Sequence, residues 1–135
     1  MRFQDIIDEL SDSIGATIEV DGDTCAVTLE SKEGDSVFIA MQGDDMRGVV
    51  LMTADLGEPS PDNRKGIYRA LLEANDLFAE TMGATLSSNP ADGHIRLQRF
   101  DDMDALGRAG ARAAFLAFAN TAAQLKRIVQ GYGTD

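Results

Sequence analysis

Residues 60–99 read SPDNRKGIYRALLEANDLFAETMGATLSSNPADGHIRLQR, and the rest of the chain is organised around them. Ser60 is an N-cap residue type, and Pro61 suits the first helical position, where its missing N–H costs nothing. Ile67, Ala70, Leu71, Ala74, Leu77 and Phe78 recur at helical spacing and form one apolar stripe, with Gly83 as the stop. Tyr68, Leu72 and Ala79 run along a second face of the same helix. A helix with two apolar faces is expected to be covered on both sides, one by its own sheet and the other by a two-fold copy of the chain. Beyond it, Ala84-Thr85-Leu86 and Ile95-Arg96-Leu97-Gln98 alternate around the turn residues Asn89-Pro90-Ala91-Asp92-Gly93, which predicts a hairpin.

Upstream, Phe3, Ile6, Ile7, Leu10 and Ile14 share one face of an amphipathic helix that Gly15 ends. A meander of antiparallel strands follows: residues 16–20, then Cys25, Val27 and Leu29 in alternation, then a turn at Glu33-Gly34-Asp35. Val37, Ile39 and Met41 alternate in turn, yet Phe38 and Ala40 between them are also apolar, and Val49-Val50-Leu51-Met52 is apolar on both faces. Two explanations stand for Phe38, Ala40, Val50 and Met52: a further helix or a second copy covers them, or they form a binding surface. Near the end, Asp101, Asp102 and Asp104 favour a helix start. Gly107 and Gly110 weaken its first turns, so the helix is expected to begin late or bend there. Phe115, Phe118, Ala122, Leu125 and Val129 mark its buried face, Gly131 and Gly133 its end, and residues 130–135 a frayed tail.

Composition narrows the function. The 135 residues suit one domain, 1–135, and a 44% apolar content suits a packed core. A net charge of -11 repels nucleic acid and anionic membranes, so neither is expected as a partner. No apolar run approaches the ~20 residues that span a bilayer, and the first residues lack a signal-peptide core, so the expected location is cytoplasmic. Cys25 and His94 are the sole thiol–imidazole pair, but Cys25 sits mid-strand where a small buried residue belongs. The acidic turn at Asp21 fails as a calcium loop, with Ala26 and Lys32 where glycine and glutamate are required. Gly43 and Gly48 lack the Lys and Ser/Thr of a phosphate loop. No catalytic residue, metal or cofactor is therefore expected.

One resemblance gives these elements a purpose. Tyr68-Arg69-Ala70-Leu71-Leu72-Glu73-Ala74-Asn75, Phe78, Gly83-Ala84-Thr85-Leu86, Asn89-Pro90, Gly93 and Leu97-Gln98 together resemble the core signature of the class I type III secretion chaperones, the Tir-chaperone-like family of bacterial injection systems. The resemblance implies an α+β fold in the order α-β-β-β(-β)-α-β-β-α, with helices packed on an antiparallel sheet, and a homodimer. It also implies function by binding: an ATP-independent chaperone that holds the N-terminal segment of a secreted effector in the cytoplasm. A regulatory adaptor of the same fold, binding a folded protein outside secretion, is the alternative. The effector contacts expected on this basis are Phe3, Ile7, Leu10, Phe38, Ala40, Val50 and Met52. The expected dimer contacts are Tyr68, Leu72, Asn75, Ala84 and Leu86.

Overall fold

The computed structural model describes residues 2–14, 18–30 and 36–132. Helix α1 (Phe3–Ile14) leads into β1 (Glu19–Asp21), β2 (Thr24–Glu30), β3 (Ser36–Asp44) and β4 (Val49–Gly57). Helix α2 (Arg64–Asn75) crosses to the hairpin β5 (Thr85–Ser88) and β6 (Ile95–Asp102), and α3 (Met103–Ala109) and α4 (Ala111–Val129) complete the order. The strands form one antiparallel sheet in the order β1-β2-β3-β4-β6-β5, so the expected α+β architecture is the observed one. The expected stops at Gly15 and Gly133, the start of the first strand and the turn at residues 33–35 lie outside the described residues.

Alternation decides which side of the sheet is core. Cys25 and Val27 of β2, Val37, Ile39 and Met41 of β3, Val50, Met52, Ala54 and Leu56 of β4, and Ile95 and Leu97 of β6 are all buried. Their neighbours in sequence point the other way. Onto the buried side pack Phe3, Ile6, Ile7 and Leu10 of α1, Ile67, Leu71 and Ala74 of α2, and Phe115, Phe118, Ala122, Leu125 and Val129 of α4, in one continuous cluster. The helical faces are therefore those that the periodicity predicts.

The helix ends differ from expectation, each for a local reason. Pro61 opens a 3-10 turn and α2 itself begins only at Arg64, and the Ser60 hydroxyl caps nothing; its backbone N–H donates to the Val129 carbonyl at 3.0 Å instead. Helix α2 stops at Asn75, well short of Gly83, because Leu77 and Phe78 adopt left-handed backbone angles (φ 51° and 57°). Both side chains leave the apolar stripe and are exposed, which corrects their expected core role. The anticipated bend near the last helix is a clean break: Gly110, at φ 97°, separates α3 from α4. Asp102 caps α3 by accepting the Ala105 N–H at 3.0 Å.

At the other end of the sheet, the turn after β3 holds α1 in place. Asp45 Oδ1 accepts the Phe3 N–H at 2.8 Å and so caps α1 from a distant loop. The Phe3 side chain lies against Gly43, where any Cβ would collide with the ring and stand 2.7 Å from the Phe3 Cβ. Gly43→Ala should therefore destabilise the chain by about 1–3 kcal/mol through overpacking. The midpoint of urea unfolding should fall with an unchanged slope. The same change made in a Phe3→Ala background should cost clearly less, since the two residues share one contact.

Candidate binding surfaces

The strand registers place three rows of side chains on the side of the sheet away from the helices. Thr24, Gln42, Leu51 and Phe100 form one row; Ala26, Ala40, Thr53, Gln98 and Thr85 the next; Thr28, Phe38, Asp55, Arg96 and Ser87 the third. Among the described residues, no helix covers these rows. Phe38 is 50% exposed and Phe100 60%, so two aromatic rings stand on an open sheet face in a chain with few aromatics. Exposed rings on an uncovered sheet face are candidate contacts for a partner.

Of the residues expected to bind an effector, Phe38 and Ala40 lie on this face. Phe3, Ile7, Leu10, Val50 and Met52 do not: each is between 0% and 5% exposed, packed between α1, α4 and the sheet. Those five are corrected to core residues. For Val50 and Met52 the reason is register, because they pair with Gly43 and Met41 on the helix side. Their neighbours Val49 and Leu51 take the open side. Alternation in sequence gives out at Gln98, whereas β6 runs to Asp102 and so carries Phe100 onto the open face. Its parity with Arg96 and Gln98 was the available signal.

A second apolar surface lies on the outside of α2. Tyr68 and Leu72 are exposed there, Leu72 at 71%, and Leu77, Phe78 and Met82 are exposed just beyond the helix. Met82 shares the left-handed backbone of Leu77 and Phe78, with φ 55°. The other expected dimer residues serve the chain itself. Ala84 is buried, Leu86 packs partly against the core, and Asn75 Oδ1 accepts the Leu86 N–H at 3.0 Å.

The titratable groups divide between the two sides of the sheet. Cys25 points into the core, where burial pushes its thiol up to about 11, against a smaller opposing effect of a hydrogen bond with the Met41 backbone. A thiol held protonated in this way is a poor nucleophile. His94 is on the open side, its Nδ1 3.1 Å from both oxygens of Asp55 and 3.8 Å from Asp92. Cys25 and His94 therefore do not form a pair. The hydrogen bond to Asp55, then the charges of Asp55, Asp92 and Glu58, raise the His94 pKa above its ordinary 6.5, against a desolvation effect of opposite sign. Since the native value lies above the unfolded one, the stabilisation is complete below pH ~6.5 and is lost as pH rises through the native value. An NMR titration of the His94 ring should give a midpoint above 6.5, and Asp55→Asn should bring it back towards that value.

Comparison with known proteins matches this arrangement to a family. Residues 5–126 fit the model of the Tir chaperone protein (CesT) family. Among curated proteins none matches the sequence. A chain of the HopA1-SchA chaperone-effector complex is 14% identical with a TM-score of 0.67, covering 93% of this chain and 90% of that one. A chain of the ExsC-ExsE complex is 15% identical with a TM-score of 0.64, covering 97% and 98%. A chain of the heterodimeric ExoU-SpcU complex, from the type III secretion system of Pseudomonas aeruginosa, is 22% identical with a TM-score of 0.54, covering 90% and 94%. At such identities the three structures share the fold, and the family model spans most of the chain. This chain belongs to the Tir chaperone protein (CesT) family.

Proposed function

We propose that this chain is a type III secretion chaperone that binds the N-terminal segment of an effector across its open sheet face and works as a cytoplasmic homodimer. The observation that carries the reading is the open sheet face on which the Phe38 and Phe100 rings are exposed, on a fold shared with chains from a chaperone-effector complex. An extended segment laid on that face would bury its apolar side chains against Phe38, Ala40, Leu51 and Phe100. Such binding is by mass action and uses no nucleotide. The acidic composition keeps a chain with this much exposed apolar surface soluble. For the dimer, Tyr68 and Leu72 supply a self-complementary patch on α2, extended by Leu77, Phe78 and Met82.

Two variants test the reading. Phe38→Asp should leave the fold intact, because the side chain is half exposed, and should weaken capture of a co-expressed effector N-terminal segment at least about thirtyfold, as loss of an interface anchor does. A folded Phe38→Asp protein that still captures the segment would remove the open face from the mechanism. Recovery of folded cytosolic proteins in place of a secreted one would favour the adaptor. Leu72→Glu should convert a dimer to a monomer in light scattering while circular dichroism stays unchanged. An unaltered dimer would move the interface elsewhere.

A further inference from the structure

Arg96 stands directly across from Asp55 on the open face, with Ser87 on its other side. Opposite charges so placed on an antiparallel pair ordinarily join across the strands. Here they do not. The register of β4 and β6 shifts between Asp55 and Gly57, and the Asp55 carboxylate is engaged at the strand end. There Oδ1 accepts the Gly57 N–H at 2.8 Å, and His94 Nδ1 lies 3.1 Å from both oxygens. Arg96 is left half-buried, with its Nε out of water's reach and no acceptor for it. A buried donor without a partner costs the protein free energy.

The other described cations are accommodated. Arg2, Arg64, Arg69 and Arg99 pair with acids, Lys126 donates to the Ser36 carbonyl, and Arg127 stacks on Tyr132. Arg47, Lys65 and Arg112 are exposed to water. Among the described side chains, Arg96 is thus the cation that is both partly withdrawn from solvent and unpaired, in a chain with 23 acidic residues.

We propose that Arg96 is the polar anchor of the open face and receives the carboxylate of an acidic side chain from the bound segment, beside the apolar contact on Phe38. The proposal rests on the open face being the docking surface. A guanidinium offers a carboxylate two parallel donors, which fixes register as well as adding affinity. Phe38 and Arg96 share one row with β4 between them, about 10 Å apart at the usual strand spacing. Side chains two positions apart on an extended peptide are separated by about 7 Å, and the length of the Arg96 and glutamate side chains closes the difference. The recognised pattern is accordingly an apolar residue and an acidic residue two positions apart.

Fluorescence anisotropy with two labelled peptides tests this. Both alternate leucine and threonine, and they differ only in a central glutamate or glutamine. The unaltered protein should bind the glutamate peptide about tenfold more tightly, in line with a charge-assisted hydrogen bond. In Arg96→Gln that ratio should fall to about one, and in Arg96→Lys it should be intermediate, because the charge stays while the fork is lost. A preference that survives Arg96→Gln, or a preference for the glutamine peptide in the unaltered protein, would overturn the proposal. If neither peptide binds, or if Phe38→Asp leaves binding unchanged, the open-face reading itself fails and the role of Arg96 fails with it.

Discussion

The packing of α4 on β3 and β4 is the contact on which the rest of this molecule depends. Helices α1, α2 and α3 each touch α4 as well, so it is the shared neighbour of every other helix. Phe115, Phe118, Ala122 and Leu125 are buried along it, and Ala111, Ala119 and Ala122 keep its contact surface low enough for close approach. A sheet can bury a face only against something, and here all the helices gather on the side that α4 occupies. The other face is left to water by the same arrangement, so the exposure of Phe38 and Phe100 follows directly from where the core had to be.

Local devices then set what the open parts of the sheet can do. The edge strand β5 carries backbone groups that invite pairing with another chain. Asn75 occupies one of them by accepting the Leu86 N–H, which also ties α2 to the hairpin. At the far end, Gly43 lets the Phe3 ring lie on the sheet while Asp45 caps α1, so two short-range features lock the first helix to a turn some forty residues away. On the open face, beside the irregularity between Asp55 and Gly57, the Asp55 carboxylate is engaged by the Gly57 N–H and the His94 ring and not by Arg96.

The order of elements was legible in the sequence because each depends on periodicity, and periodicity is a local signal. The buried stripes of α1 and α4 could be read residue by residue, and a disturbance near Gly107 and Gly110 was legible, though only the backbone shows that it is a break at Gly110 and that Gly107 lies within α3. What could not be read was parity where both neighbours are apolar. Within Val49-Val50-Leu51-Met52, either alternate pair could face the helices, and only the pairing with β3 decides it. Phe3, Ile7 and Leu10 were misassigned for a related reason: an amphipathic face looks the same whether it meets the chain's own core or a partner. The early end of α2 was hidden by Leu77 and Phe78, which fit the stripe in spacing while their backbone angles take them off it.

Those two residues, with Met82, carry the last step of the argument. A left-handed backbone costs a residue with a Cβ on the order of 1 kcal/mol or more, and burial within the chain does not offset it here, since all three side chains are exposed. A contact made outside the chain would. The segment directly extends the outer face of α2, where Tyr68 and Leu72 are also exposed, so strain and apolar exposure coincide at one place. That place lies on the helical side of the molecule, whereas Phe38, Phe100 and Arg96 lie on the open sheet. Two copies joined through α2 would leave both sheet faces accessible, and an effector could bind without competing with the dimer. The net charge of -11 on each copy works against association through any surface that is not closely complementary. The same charge that keeps the exposed rings soluble therefore makes selective contact on either surface a condition of binding at all.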